Sequence, residues 1–146
     1  MNIAFAGFRH SHIYGLYKSA VENPEVTITG CCEENEEARR EAEKMTGSTF
    51  TYNSYEELLQ DPEVQIIINL TPPQSHVELN KKIIAAGKHL FSEKPFAPTL
   101  AEAKEVLELA RETDWESVQR LSVQLHDLHV SWRPDIYASV EELYTE

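Results

Sequence analysis

The sequence has only two cysteines, and they are neighbours, Cys31 and Cys32. A bridge between adjacent cysteines is strained and no CxxC spacing exists, which argues against a disulfide scaffold or a thiolate zinc site. Long hydrophobic runs are missing as well: no apolar stretch approaches the roughly 20 residues that span a bilayer. The N-terminus, MNIAFAGFRH, has no basic segment ahead of an apolar one, so it reads as a short buried strand rather than a signal peptide. Basic residues are scarce, 13 Lys and Arg against 25 Asp and Glu, for a formal net charge of −12. Such a surface repels polyanions and makes nucleic acid and anionic membranes poor partners. An anionic cofactor remains compatible, because backbone N–H groups at a helix N-terminus bind anions locally. The cytoplasm is the expected compartment.

What is present is a soluble-globular composition, 41% hydrophobic and 26% charged over 146 residues. That length supports one full core and falls short of two ordinary domains. Short apolar runs alternate with longer amphipathic ones, the pattern of a parallel sheet flanked by helices. Strand candidates are Ile3–Ala6, Val26–Cys32, Thr49–Tyr52, Val64–Leu70 and His89–Ser92. Between them lie helix patterns carrying Ile13, Leu16, Tyr17 and Val21, then Glu33 to Met45 with Gly47 past its end, and Ser75 to Ala86 with Gly87 as a left-handed cap. Ser54 with Glu57 and Thr99 with Glu102 form capping boxes that open two further helices, to Gln60 and to about Thr113. The expected fold is a doubly wound, Rossmann-type α/β domain over residues 1–113. Right-handed crossovers then bring every strand's C-terminal end to one rim, where open sheets bind ligands. Residues 114–146 form a C-terminal extension in which Leu121, Val123 and Leu125, and then Leu128, Val130 and Trp132, alternate like a bulged strand or hairpin.

The turn Gly7-Phe8-Arg9-His10-Ser11-His12 stands where a dinucleotide fingerprint belongs, after a strand and before a helix. Only the first glycine of G-x-G-x-x-G is there; Arg9 and His12 occupy the other two positions. Two readings stay open, a pyrophosphate turn or a plain strand-to-helix turn with Gly7 at positive φ. Glu33, about 20 residues on at the end of the second strand, fits the carboxylate that bonds the adenosine ribose and disfavours a 2′-phosphate, so NAD is expected over NADP. It fits an acidic helix start equally well. His10 and His12 make an H-x-H pair with no clear third ligand, the pattern of turn residues rather than of a metal site. His76 reads either as a cofactor neighbour or as a solvent-facing helix-start residue. Lys94, pinned by Pro95 and preceded by Glu93, could orient a substrate or pass a proton; an isolated Glu-Lys-Pro is otherwise a surface turn.

The run PEVQIIINLTPPQSHVELNKKIIA followed by AGKHLFSEKPFAPTLAEAKEVLELAR resembles the N-terminal NAD(P)-binding domain of the glucose–fructose oxidoreductase, inositol dehydrogenase and rhizopine-catabolism family (Gfo/Idh/MocA). The resemblance extends from Met1 to about Thr113 and rests on Thr71-Pro72-Pro73, Gly87-Lys88-His89 and Glu93-Lys94-Pro95 in order and spacing. It implies that Gly7 to His12 cover the pyrophosphate, that Glu33 contacts the ribose, and that Thr71, Pro72 and Pro73 line the dinucleotide cleft. It also implies that Glu93 and Lys94 approach the nicotinamide, with Lys94 the catalytic-type lysine, and that the Lys94–Pro95 bond is cis. The chain departs from the family in its reduced glycine turn and in lacking, after Asp114, the start of the family's substrate domain. The expectation is therefore the cofactor half of an oxidoreductase for a sugar or polyol CH–OH group, with catalysis by this chain alone doubtful. The alternative is a non-catalytic nucleotide-binding module that self-associates through residues 114–146, or a vestigial domain.

Overall fold

The computed structural model describes residues 1–113; the expected tail strand and the extension of residues 114–146 lie outside the described residues. The described chain runs β1 (Asn2–Ala6), α1 (His12–Glu22), β2 (Thr27–Cys32), α2 (Glu36–Thr46), α3 (Tyr55–Gln60), β3 (Ile66–Asn69), α4 (Pro73–Ala85), β4 (His89–Ser92) and α5 (Leu100–Glu112). The strands pair all-parallel in the order β2-β1-β3-β4. From β1 the chain steps outward to β2, then crosses back to β3 on the other side. The order therefore reverses between β1 and β3, and the rim of an open sheet at such a reversal is its natural ligand crevice.

Residue choice explains why the sheet is buried on both faces. Along β1, Ala4 and Ala6 join a core with Cys32, Tyr52, Leu58, Val64, Ile67, Leu79 and Ile83, where small side chains admit close packing. Phe5 points the other way and meets Tyr17 of α1 at a ring-centroid distance of 5.4 Å. Phe8 and Phe50 extend that second cluster, 4.8 Å apart. Cys31 and Cys32 are free and buried, and burial pushes both thiols up to about 12. They pack as small hydrophobes, as expected.

The fifth strand candidate does not form. Thr49–Tyr52 contributes a single parallel bridge, Cys32 to Tyr52, beside the end of β2. Gly47 at φ +66 closes α2 and Ser54 caps α3, and the residues between them pair with β2 only at that one bridge. Two helix starts also differ from expectation. α2 begins at Glu36 rather than Glu33, because the Asn35 side chain accepts from Ala38 N–H as N-cap while Glu33 stays on the strand-end turn. α4 begins at Pro73, two residues early, since a proline at the first helical position has no N–H to lose. Both capping hydroxyls act as expected, Ser54 accepting from Glu57 N–H and Thr99 from Glu102 N–H.

Candidate functional site at the C-terminal rim of the sheet

The turn after β1 comes within backbone contact of the turn after β3. Gly7 has φ +90, and a Cβ there would stand 2.5 Å from Thr71 N and 2.7 Å from Leu70 C. Only glycine fits, for conformation and for space together. Gly7 N–H donates to Cys32 O at 2.9 Å, which ties the same turn to β2.

Behind the turn lies Glu33, fully buried. One carboxylate oxygen accepts from Phe8 N–H at 2.8 Å; the other accepts from Asn35 N–H at 2.9 Å and pairs with Arg9 Nε at 3.2 Å. Glu33 thus organises the turns after β1 and β2 with both of its oxygens. Phe8 sends its ring into the aromatic cluster and presents only backbone at the rim. At the start of α1, Ser11 makes no side-chain cap, and the amides of Arg9, His10 and Ser11 have no acceptor among the described residues. Three such N–H groups at a helix N-terminus form a ready anion site.

In front of the turn is a cleft of about 210 Å³. The structure gathers Arg9, His10, Thr71, Pro72, Pro73, His76, Glu93 and Lys94 along its walls, together with Leu70 and Pro95. Gly7, Phe8 and Glu33 stand behind it as supports, and His12 flanks it through Glu93, whose Oε2 is 3.2 Å from His12 Nδ1. The volume is below the roughly 300–1,000 Å³ of complete small-molecule pockets, room for no more than part of such a ligand.

His76 is the clearest departure from its solvent-facing reading, at 1% exposure. Spaced at i, i+3, i+4 and i+7, His76, Leu79, Asn80 and Ile83 fall on one buried face of α4. Its Nδ1 lies 2.9 Å from Pro95 O, and a carbonyl only accepts, so Nδ1 carries the proton. Nε2 is then an acceptor, buried and without a partner among the described residues. His76 lines the cleft, and a buried unsatisfied acceptor of this kind calls for a donor.

Two residues of the site escaped sequence reasoning. Asn69, the last residue of β3, accepts from Thr71 N–H at 3.1 Å and from the Thr71 hydroxyl at 2.7 Å, and donates to Asn80 Oδ1 at 2.7 Å. Asn80 passes the chain on to Ser92 Oγ at 3.1 Å. This buried relay locks the ends of β3 and β4 against α4. The signal was there, a polar residue closing the run of isoleucines.

The turn after β4 carries the remaining chemistry. Glu93 Oε1 accepts from Lys94 N–H at 2.9 Å, and the Lys94–Pro95 bond is cis. Partial burial pushes Glu93 up, but the Lys94 amide and His12 outweigh it and hold the carboxyl below its ordinary range. The Lys94 side chain is exposed at the cleft mouth.

Fold and rim together define a Rossmann-type nucleotide-binding domain. The chain matches the oxidoreductase family with an NAD-binding Rossmann fold, Gfo/Idh/MocA, over residues 1–119, and it belongs to that family. An uncharacterised oxidoreductase of Schizosaccharomyces pombe is 46% identical over 61 residues, covering 42% of this chain and 17% of that protein. D-xylose 1-dehydrogenase (NADP(+)) of Hypocrea jecorina is 34% identical over 85 residues, 53% of this chain and 22% of the enzyme. Among solved structures, an oxidoreductase from Erwinia carotovora atroseptica superposes with a TM-score of 0.71 at 26% identity, over 77% of this chain and 34% of that one. The matched stretches span about a fifth of the curated relatives' length. Among the described residues, no helix is long and apolar enough to cross a membrane.

Proposed function

We propose that this chain holds a nicotinamide dinucleotide in the rim cleft and serves as the cofactor-binding part of an oxidoreductase acting on a sugar or polyol CH–OH group. The observation that carries the reading is the convergence of three features on one cleft: acceptor-free amides at the start of α1, the orphan Nε2 of His76, and Lys94 at the mouth. The amides and Arg9 suit the pyrophosphate, and His76 Nε2 suits a ligand N–H or O–H. The cofactor carries the hydride, and the protein orients it. In this reading Lys94 stands at the reacting end, where an ammonium can hydrogen-bond a substrate oxygen and steady the charge that develops on it.

The D-xylose dehydrogenase and its sugar substrate support this substrate class. Glu33 is fully buried with both oxygens bonded to Phe8, Asn35 and Arg9, so the expected ribose hydrogen bond is not open to it and only its charge disfavours a 2′-phosphate. Arg9 weakens that repulsion, since its guanidinium is paired with Glu33 yet 42% exposed. The test is a fluorescence titration of the full chain with NADH and, separately, NADPH. Saturable enhancement, stronger with NADH, is the expected result. No saturable change with either cofactor up to millimolar concentration contradicts the proposal. Self-association through residues 114–146 rests on a segment outside the described residues.

A further inference from the structure

The H-x-H pair of the first turn lacks a third ligand in the sequence, and the fold supplies one from 81 residues away. Glu93, at the end of β4, lies beside the start of α1, with Oε2 3.2 Å from His12 Nδ1. His10, His12 and Glu93 each offer one ligand atom, and these atoms all lie within 4.8 Å of one another. The two imidazoles meet edge to face, with centroids 4.5 Å apart.

We propose that His10, His12 and Glu93 form a binding site for a divalent late transition metal of the zinc class. Zinc bonds to imidazole nitrogen and carboxylate oxygen are about 2.0–2.2 Å, which places neighbouring tetrahedral donors roughly 3.3–3.5 Å apart. The His12–Glu93 separation of 3.2 Å is close to that length, and the third donor, within 4.8 Å of the others, closes the face by a side-chain adjustment of up to roughly 1.5 Å. Two imidazoles and one carboxylate suit zinc, cobalt or nickel, whereas magnesium and calcium prefer all-oxygen sets.

The carboxylate is also oriented before any ion arrives. Glu93 Oε1 accepts from Lys94 N–H at 2.9 Å, which turns Oε2 towards His12, and the side chain is only 13% exposed. Outer hydrogen bonds of this kind are what fix ligating carboxylates in metal sites. The nearby Arg9 charge is compensated by Glu33 rather than left to repel an ion. Three protein ligands leave a fourth position for a water or for an oxygen donor in the cleft that His10 and Glu93 also line.

The site needs only these three side chains, two of which, His10 and Glu93, also line the dinucleotide cleft. The experiment is a Co²⁺ titration of the full chain, followed by visible ligand-field absorption, with Zn²⁺ added afterwards as competitor. The expected result is one saturable equivalent, displaced by Zn²⁺, with Kd raised at least about tenfold in each of H10N, H12N and E93Q; even outer-shell losses reach that scale. The triple variant, checked for native circular dichroism, controls for other histidines in the chain. Absence of saturable binding below millimolar Co²⁺, or binding undiminished in the triple variant, overturns the proposal. NADH titration of the same samples keeps the two readings separable, since metal binding without cofactor binding leaves this site intact.

Discussion

Phe8 N–H donates to the Glu33 carboxylate at 2.8 Å across 25 residues of sequence, and both residues are buried. This bond, with the Arg9 pair beside it, holds the turn after β1 in the shape the rim requires. E33Q turns one carboxylate oxygen into an NH₂ that faces existing donors, leaving a buried N–H unsatisfied. The expected loss is about 2 kcal/mol in urea denaturation. R9A removes a partner that is 42% exposed while the buried Glu33 carboxylate keeps both of its amide donors, so its cost stays below that of E33Q. Equal effects of the two substitutions would contradict this division of roles.

Gly7 and Gly87 both have positive φ, yet a Cβ at Gly7 collides with backbone while one at Gly87 meets nothing within 4 Å. G87A should therefore cost only about 1 kcal/mol, from conformation alone. G7A adds a clash with Thr71 that no side-chain rotation relieves, and should cost at least ~3 kcal/mol. Thermal or urea unfolding of the two variants side by side checks the difference.

Asn69 is the centre of the buried amide relay. N69A strands Asn80 Oδ1 and Thr71 N–H in the interior, at an expected ~2–4 kcal/mol. In N69A/N80A two of the orphaned groups are gone together. The double variant should be less destabilised than the sum of the single ones, a coupling read from a denaturation cycle.

Tyr52 and Asp61 supply a pH signature. Tyr52 donates to Asp61 Oδ2 at 2.7 Å. That bond, followed by the Glu63 amide, holds the Asp61 carboxyl below its ordinary range. A carboxyl depressed on folding adds stability above its unfolded value near ~3.9, and this is lost as pH falls through the folded value. Burial and then the Asp61 bond push the Tyr52 hydroxyl up to about 12. Its contribution is full below ~10 and is lost as pH rises through about 12. Y52F should flatten both limbs of the stability–pH curve; unchanged limbs would contradict the assignment.

Local signals reached the sheet, its rim and most of the site, because periodicity and caps act over a few residues. β4 was legible to the residue from His89 to Ser92, and Gly87 from its place after an amphipathic run. The losses came where tertiary context decides. Thr49–Tyr52 has strand-like residues yet meets β2 at a single bridge. His76 is buried because it shares a face of α4 with Leu79, Asn80 and Ile83 and meets Pro95 O, 19 residues on, at 2.9 Å. Glu93 reaches His12 across 81 residues, a separation that no spacing rule connects. Asn69 was absorbed into an apolar run, though its polarity at the strand end is what fastens Thr71 at the cleft.

The dinucleotide reading is tested most directly by amide chemical shifts of the isotope-labelled full chain as NADH is added. The account predicts saturable shifts concentrated at Arg9, His10, Ser11, Thr71, Glu93 and Lys94, with the α2 surface around Arg40 and Lys44 unmoved. Shifts absent at that rim, or spread evenly over the charged surface, would contradict it.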